Sequence, residues 1–150
     1  MKAAHDSSRL SVFAYCLMPN HFHMILFQRT PGAIPSFIKH VCDGYAKALN
    51  KTLHRKGHLF EGTYKMEPIN SDEYLLHLSR YIHLNPVRAS LVSRAEHWLF
   101  SSYRAYITEV EDCLVHNTVV MNACGGAKEY RKFVEEYREE DKRSITALLF

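Results

Sequence analysis

An α+β domain is what the sequence predicts, and three features carry the prediction. An apolar and aromatic run from Leu10 to Met18 is followed by Pro19-Asn20 and a second apolar run to Phe27, which is the pattern of strand, tight turn and strand. Helical periodicity then sets in from about Pro35 to Arg55. A third stretch opens on helix-cap chemistry at Asn70 and keeps helical spacing to about Leu84.

The hairpin organises the rest, through Cys16-Leu17-Met18-Pro19-Asn20-His21-Phe22-His23-Met24-Ile25-Leu26-Phe27. Side chains alternate across a strand, so His21 and His23 share one face while Phe22, Met24 and Leu26 share the opposite, greasy one. Two imidazoles side by side at the start of a buried strand can hold one metal ion. They are equally the furniture of a hairpin's wet face, so a third ligand and a substrate must be sought elsewhere.

Composition narrows the search. A chain of 150 residues with 47% hydrophobic and 23% charged residues is one ordinary soluble domain, able to bury a core. The formal charge of +3 with ten histidines permits a nucleic-acid partner without demanding one. Cys16, Cys42, Cys113 and Cys124 form no Cys-x-x-Cys pair, which argues against structural zinc or a disulfide scaffold and for reduced thiols in a cytoplasm. No signal-like or membrane-spanning run is expected, and residues 1–9 are expected to fray.

After a loop from Gln28 to Gly32, the first helix places Phe37, Ile38, Val41, Tyr45, Ala48, Leu49 and Leu53 on one face, to pack on a sheet. His54-Arg55-Lys56-Gly57-His58 is a basic turn, either a solvated loop or a phosphate-contacting one. Tyr64, Met66 and Pro68 alternate with Thr63, Lys65 and Glu67 like a strand, with Pro68 at its end or edge. The next helix is expected to be capped by Asn70 with Glu73 and to end at Asn85-Pro86. On it Tyr81 and Asn85 lie one turn apart on a shared face, with His77 a turn earlier.

That helix offers both missing pieces. A tyrosine that transfers phosphoryl groups needs its phenol aligned with a phosphorus atom whose oxygen a cation polarises. His21, His23 and the Asn85 side-chain oxygen could supply three ligands, a mixed set suited to manganese or magnesium rather than closed zinc. Without further information Tyr81 also fits a half-buried helix aromatic, and Asn85 a residue placed before proline.

Three ordered motifs decide between these readings. Met18-Pro19-Asn20-His21-Phe22-His23-Met24-Ile25-Leu26, Gly57-His58-Leu59-Phe60-Glu61-Gly62-Thr63-Tyr64-Lys65 and Asp72-Glu73-Tyr74-Leu75-Leu76-His77-Leu78-Ser79-Arg80-Tyr81-Ile82-His83-Leu84-Asn85-Pro86-Val87-Arg88-Ala89 resemble the single-tyrosine HUH transposases. The REP-associated tyrosine transposases are the most similar branch. Trp98, Ser101-Ser102-Tyr103-Arg104-Ala105-Tyr106 and Glu129-Tyr130-Arg131-Lys132-Phe133-Val134 extend the likeness to about Glu135.

The resemblance implies a ferredoxin-like HUH nuclease domain, with a catalytic core over about 10–90 and a helical C-terminal extension over about 91–150. It implies His21, His23 and Asn85 as ligands of a divalent metal, Mg or Mn, and Tyr81 as the nucleophile. The reaction would nick single-stranded or hairpin DNA, linking Tyr81 to the 5′ phosphate and releasing a 3′ hydroxyl. Arg55, Lys56, Lys65 and Arg88 are then the candidates to hold the DNA backbone, selected from a wider set that includes Lys39, Lys47, Lys51 and Arg80. The family usually carries a further strand and helix before the hairpin, here expected to be missing. The C-terminal region, or a second chain as in a homodimer, could cover that edge. Two alternatives stand beside the enzyme: a nucleic-acid-binding transposase remnant without catalysis, and a metal-dependent hydrolase of small phosphoesters for which Tyr81 is dispensable.

Towards the C-terminus, a short helix is expected over 101–107, an acidic loop over 108–112 and a break at Gly125-Gly126. A charged helix from Ala127 to about Arg143 would then place Tyr130, Phe133, Val134 and Tyr137 on one side.

Overall fold

The computed structural model describes residues 8–108 and 112–137; residues 1–7 of the stretch expected to fray, the middle of the acidic loop and the end of the last expected helix lie outside them. The architecture is α+β, a two-stranded antiparallel sheet with packed helices. Strands β1 (Leu10–Leu17) and β2 (Phe22–Gln28) form the hairpin, and the Met18 N–H donates to the His21 carbonyl at 2.8 Å to close the Pro19-Asn20 turn. Two compact units share this hairpin. One holds Phe27–Pro68 with the chain up to Ser11, the other Val12–Leu26 with the chain from Ile69 onwards. No helix among the described residues is long and apolar enough to cross a membrane.

The first unit is built on helix α1 (Ala33–Thr52). Only Ala33, Phe37 and Ile38 of its apolar stripe are buried, while Val41, Tyr45 and Leu53 are exposed. Twenty residues span about 30 Å of helix, and among the described residues this unit has no second helix to cover the far turns. Residues 63–68 do not form the expected strand. No helix or strand lies between Thr52 and Asp72, and every side chain from 61 to 68 is exposed. Alternation alone makes no strand: the backbone needs a partner ladder, Pro68 lacks a donor, and Gly62 turns the chain at a φ of 71°.

The second unit carries the core. Ala14, Cys16 and Ile25 from the hairpin meet Leu75, Ile82 and Leu84 of helix α2 (Asp72–Arg88), Tyr103 and Tyr106 of α3 (Tyr103–Ile107), Val120 of α4 (Thr118–Cys124), and Tyr130 and Val134 of α5 (Ala127–Glu135). Strand β1 is covered by the C-terminal region, one of the two expected ways of closing that edge. Its free edge is bridged by Val115 at Val12 and by Ser101 at Cys16, and Leu17 N–H donates to the Phe100 carbonyl at 2.8 Å.

Helix α2 departs from expectation at both ends. Its cap is Ser71, whose Oγ accepts from the Tyr74 N–H at 3.1 Å, one residue later than the expected Asn70. At the other end it runs through Pro86 to Arg88. Proline removes one backbone bond, but Pro86 is fully buried and the last turn closes past it, Ala89 N–H donating to the Asn85 carbonyl and Leu91 N–H to that of Pro86. Among the described residues helix α5 runs to Glu135, the expected stretch from 138 to Arg143 lying outside them, and Gly125 ends α4 in the left-handed region at a φ of 92°.

Candidate functional site

The site lies within the second unit, where β2 starts and α2 ends. His21 sits in the turn just before β2 and His23 on the strand, two residues apart and therefore on one side. That side continues as Ile25, which is 2% exposed and belongs to the core with Ile82 and Leu84. The imidazole face is thus the face that packs on α2, whereas Phe22, Met24 and Leu26, expected to be the greasy side, are only half-buried. Burial of Ile25 against α2 is what brings that helix beside the histidines.

The ring centres of His21 and His23 are 5.0 Å apart and nearly perpendicular, and the Tyr81 ring centre is 6.0 Å from that of His23. Arg88, two turns along α2 from Tyr81, lays its guanidinium 4.8 Å from the Tyr81 ring centre. A cation over a ring face is attractive by about 0.5–2 kcal/mol and fixes the ring's attitude. Arg88 therefore holds a positive charge beside the phenol, a closer placement than a general backbone contact. Asn20, read from sequence only as a turn residue, places its Oδ1 2.7 Å from His21 Nδ1. An amide oxygen only accepts, so Nδ1 carries the proton and Nε2 keeps its lone pair for a ligand.

Burial, and secondly the neighbouring His21, hold His23 below the ordinary imidazole range. A neutral imidazole is the form a metal needs. Asn85 is 9% exposed, and its buried Nδ2 has no hydrogen-bond partner. The amide oxygen and nitrogen exchange by a half-turn of the side chain, so an unpartnered amide end at this position fits an oxygen ligand. Two imidazoles and one amide would make a neutral donor set, suited to a hard cation and leaving positions for other ligands. Among the described residues no group of three His, Cys, Asp or Glu forms a fuller site.

Other predicted residues fall elsewhere. His77 packs on Phe133 at 5.4 Å between ring centres and lies 3.1 Å from Arg80 Nη2, so it serves the α2–α5 contact. Arg80 is 4% exposed with its guanidinium 4.1 Å from the Phe133 ring centre, and no DNA backbone can reach it. Arg55, Lys56 and Lys65 are exposed and belong to the first unit.

Sequence reasoning missed the buried network behind the site. His83 Nδ1 lies 2.8 Å from Tyr130 Oη and its Nε2 2.8 Å from Ser102 Oγ. Tyr130 Oη donates to Ser79 Oγ, which donates to the Leu76 carbonyl, so His83 donates to Tyr130 from Nδ1, and the single proton of Ser102 Oγ is shared between His83 Nε2 at 2.8 Å and the Tyr15 carbonyl at 3.2 Å. The Tyr15 N–H donates to Ser102 Oγ at 2.9 Å. This chain ties α2 to α5 and to β1. Its sequence trace is slight, because a histidine inside an apolar helix does not announce its partners.

The Tyr81 phenol thus stands beside an imidazole pair and a guanidinium held over its ring. The model of a family described as "Transposase IS200 like" matches residues 1–85, more than half of the chain. The chain belongs to the IS200-like transposase family, which makes DNA its partner and transposition its process. The matched stretch spans His21, His23, Tyr81 and Asn85 and stops before Arg88 and the C-terminal helices. No curated protein and no solved structure matches this chain.

Proposed function

We propose that the chain is a single-tyrosine HUH transposase of the REP-associated kind, which nicks and rejoins single-stranded DNA through a 5′-phosphotyrosine. The observation that carries this reading is the adjacency of His21, His23 and Tyr81, with Arg88 over the phenol ring. His21, His23 and Asn85 would hold a divalent metal, Mg or Mn, whose contribution would be to offset the negative charge of a phosphate oxygen and make the phosphorus more electrophilic. Tyr81 Oη attacks that phosphorus as the P–O3′ bond breaks; the phenol proton is released and the leaving 3′ oxygen is protonated. Arg88 offsets negative charge gathering beside the phenol. The reverse step, attack of a 3′ hydroxyl on the phosphotyrosine, rejoins a strand without any nucleotide cofactor.

The test is covalent capture. The full chain with manganese and a 5′- or 3′-labelled single strand containing a hairpin should give an adduct stable to denaturant on the 5′-phosphate side. Tyr81→Phe should abolish it, and His23→Ala should lower its rate by about a hundredfold or more, the scale of losing a charge-stabilising group. An adduct that survives Tyr81→Phe removes Tyr81 as the nucleophile, and DNA binding with no adduct under any metal removes the nicking role and leaves a nucleic-acid-binding relative.

A further inference from the structure

The first unit leaves two aromatic rings in solvent beside its most basic turn. Tyr45 on α1 is 56% exposed and Phe60 in the following segment is 39% exposed, with ring centres 6.3 Å apart and planes inclined at 48°. Between Tyr45 and Met66 the chain carries five Lys or Arg residues (Lys47, Lys51, Arg55, Lys56 and Lys65) against one acid, Glu61. The turn between the rings is held in place rather than loose. Arg55 N–H donates to the Asn50 carbonyl, Asn50 Nδ2 donates to the Gly57 carbonyl, both at 2.9 Å, and Gly57 takes a φ of 100°.

We propose that Tyr45 and Phe60 form a stacking platform for unpaired bases of the DNA strand, with Arg55 and Lys56 neutralising its phosphates. Solvent-exposed aromatic rings and a local excess of positive charge are the two components of sequence-tolerant single-strand binding. The charge selects a polyanion over a second copy of this equally basic surface. The rings select unpaired bases, because a duplex hides base faces in its own stack. This assignment rests on DNA being the substrate proposed above, and it names where bases are held, which the family match does not.

The experiment is fluorescence anisotropy of the full chain with a labelled unstructured oligonucleotide, in a metal chelator so that no cutting intervenes. Tyr45→Leu and Phe60→Leu keep apolar bulk and remove the ring face; each should weaken binding by about 5- to 100-fold without changing its salt dependence. Tyr45→Phe should bind within twofold of the parent chain, which separates stacking from misfolding. The double change Arg55→Gln with Lys56→Gln should instead reduce the salt slope by about 1.4, at about 0.7 per phosphate contact on a single strand. An oligonucleotide of abasic sites should bind the parent chain as weakly as the variants and lose nothing further in them. The proposal is overturned by leucine variants that bind within twofold, by an equal loss on the abasic strand or on duplex DNA, or by loss of self-association in place of DNA binding. Adduct formation through Tyr81 is read separately, so either idea can fail while the other stands.

Discussion

Asn20 accepts from His21 at 2.7 Å, and that bond decides which nitrogen of His21 would face the proposed metal. Partners of this kind commonly change metal affinity by 10- to 100-fold when removed; because this bond is exposed, the lower end applies. Asn20→Ala should therefore weaken manganese binding about tenfold, measured by titration calorimetry or manganese relaxation. Asn20→Asp, which keeps an acceptor, should preserve it. Equal affinity in all three chains would mean that solvent fixes the His21 tautomer unaided. Asn20 was legible in the sequence only as the companion of Pro19 in a turn, because a turn residue and an orienting residue look alike until the neighbouring ring is placed.

At the scale of the element, α2 is the part on which the site turns, since it carries Tyr81, Asn85 and Arg88 on one face. Its start was legible from Asn70-Ser71-Asp72-Glu73, although the residue that caps is Ser71. A Ser cap replaced by alanine costs about 1 kcal/mol. Ser71→Ala should lower the melting temperature by a few degrees, whereas Asn70→Ala should leave it nearly unchanged; the reverse order in thermal denaturation would put the cap back at Asn70. The far end was misread because Pro86 signals a stop, and the packing that lets a helix pass through a proline is tertiary. The continuation past Pro86 is what puts Arg88 over Tyr81. Likewise the alternation over 63–68 was readable, but whether a neighbouring strand exists to pair with it is not written locally.

Across the molecule, the hairpin and two main helices could be read from periodicity, while the cross-links joining them could not, because they pair residues far apart in the chain. Tyr15, Ser79, Ser102 and Tyr130 meet around His83 from β1, α2, the start of α3 and α5. Burial lowers the His83 pKa to about 3 from its ordinary 6.5. The unfolded chain takes up a proton as the pH falls through 6.5, whereas the folded chain refuses it until about 3. Stability present above pH 6.5 is thus lost progressively below it, at roughly 1 kcal/mol per pH unit, until the folded group also titrates. His83→Gln keeps a donor and an acceptor but cannot titrate. It should cost about 1–3 kcal/mol at pH 7 through imperfect hydrogen bonds and then lose less on acidification. Urea unfolding at pH 7 and pH 5 should show the parent chain losing roughly 2 kcal/mol more than His83→Gln over that interval. Parallel losses would mean that His83 opens to solvent before the unit unfolds, so that the network does not bind these elements into one cooperative body.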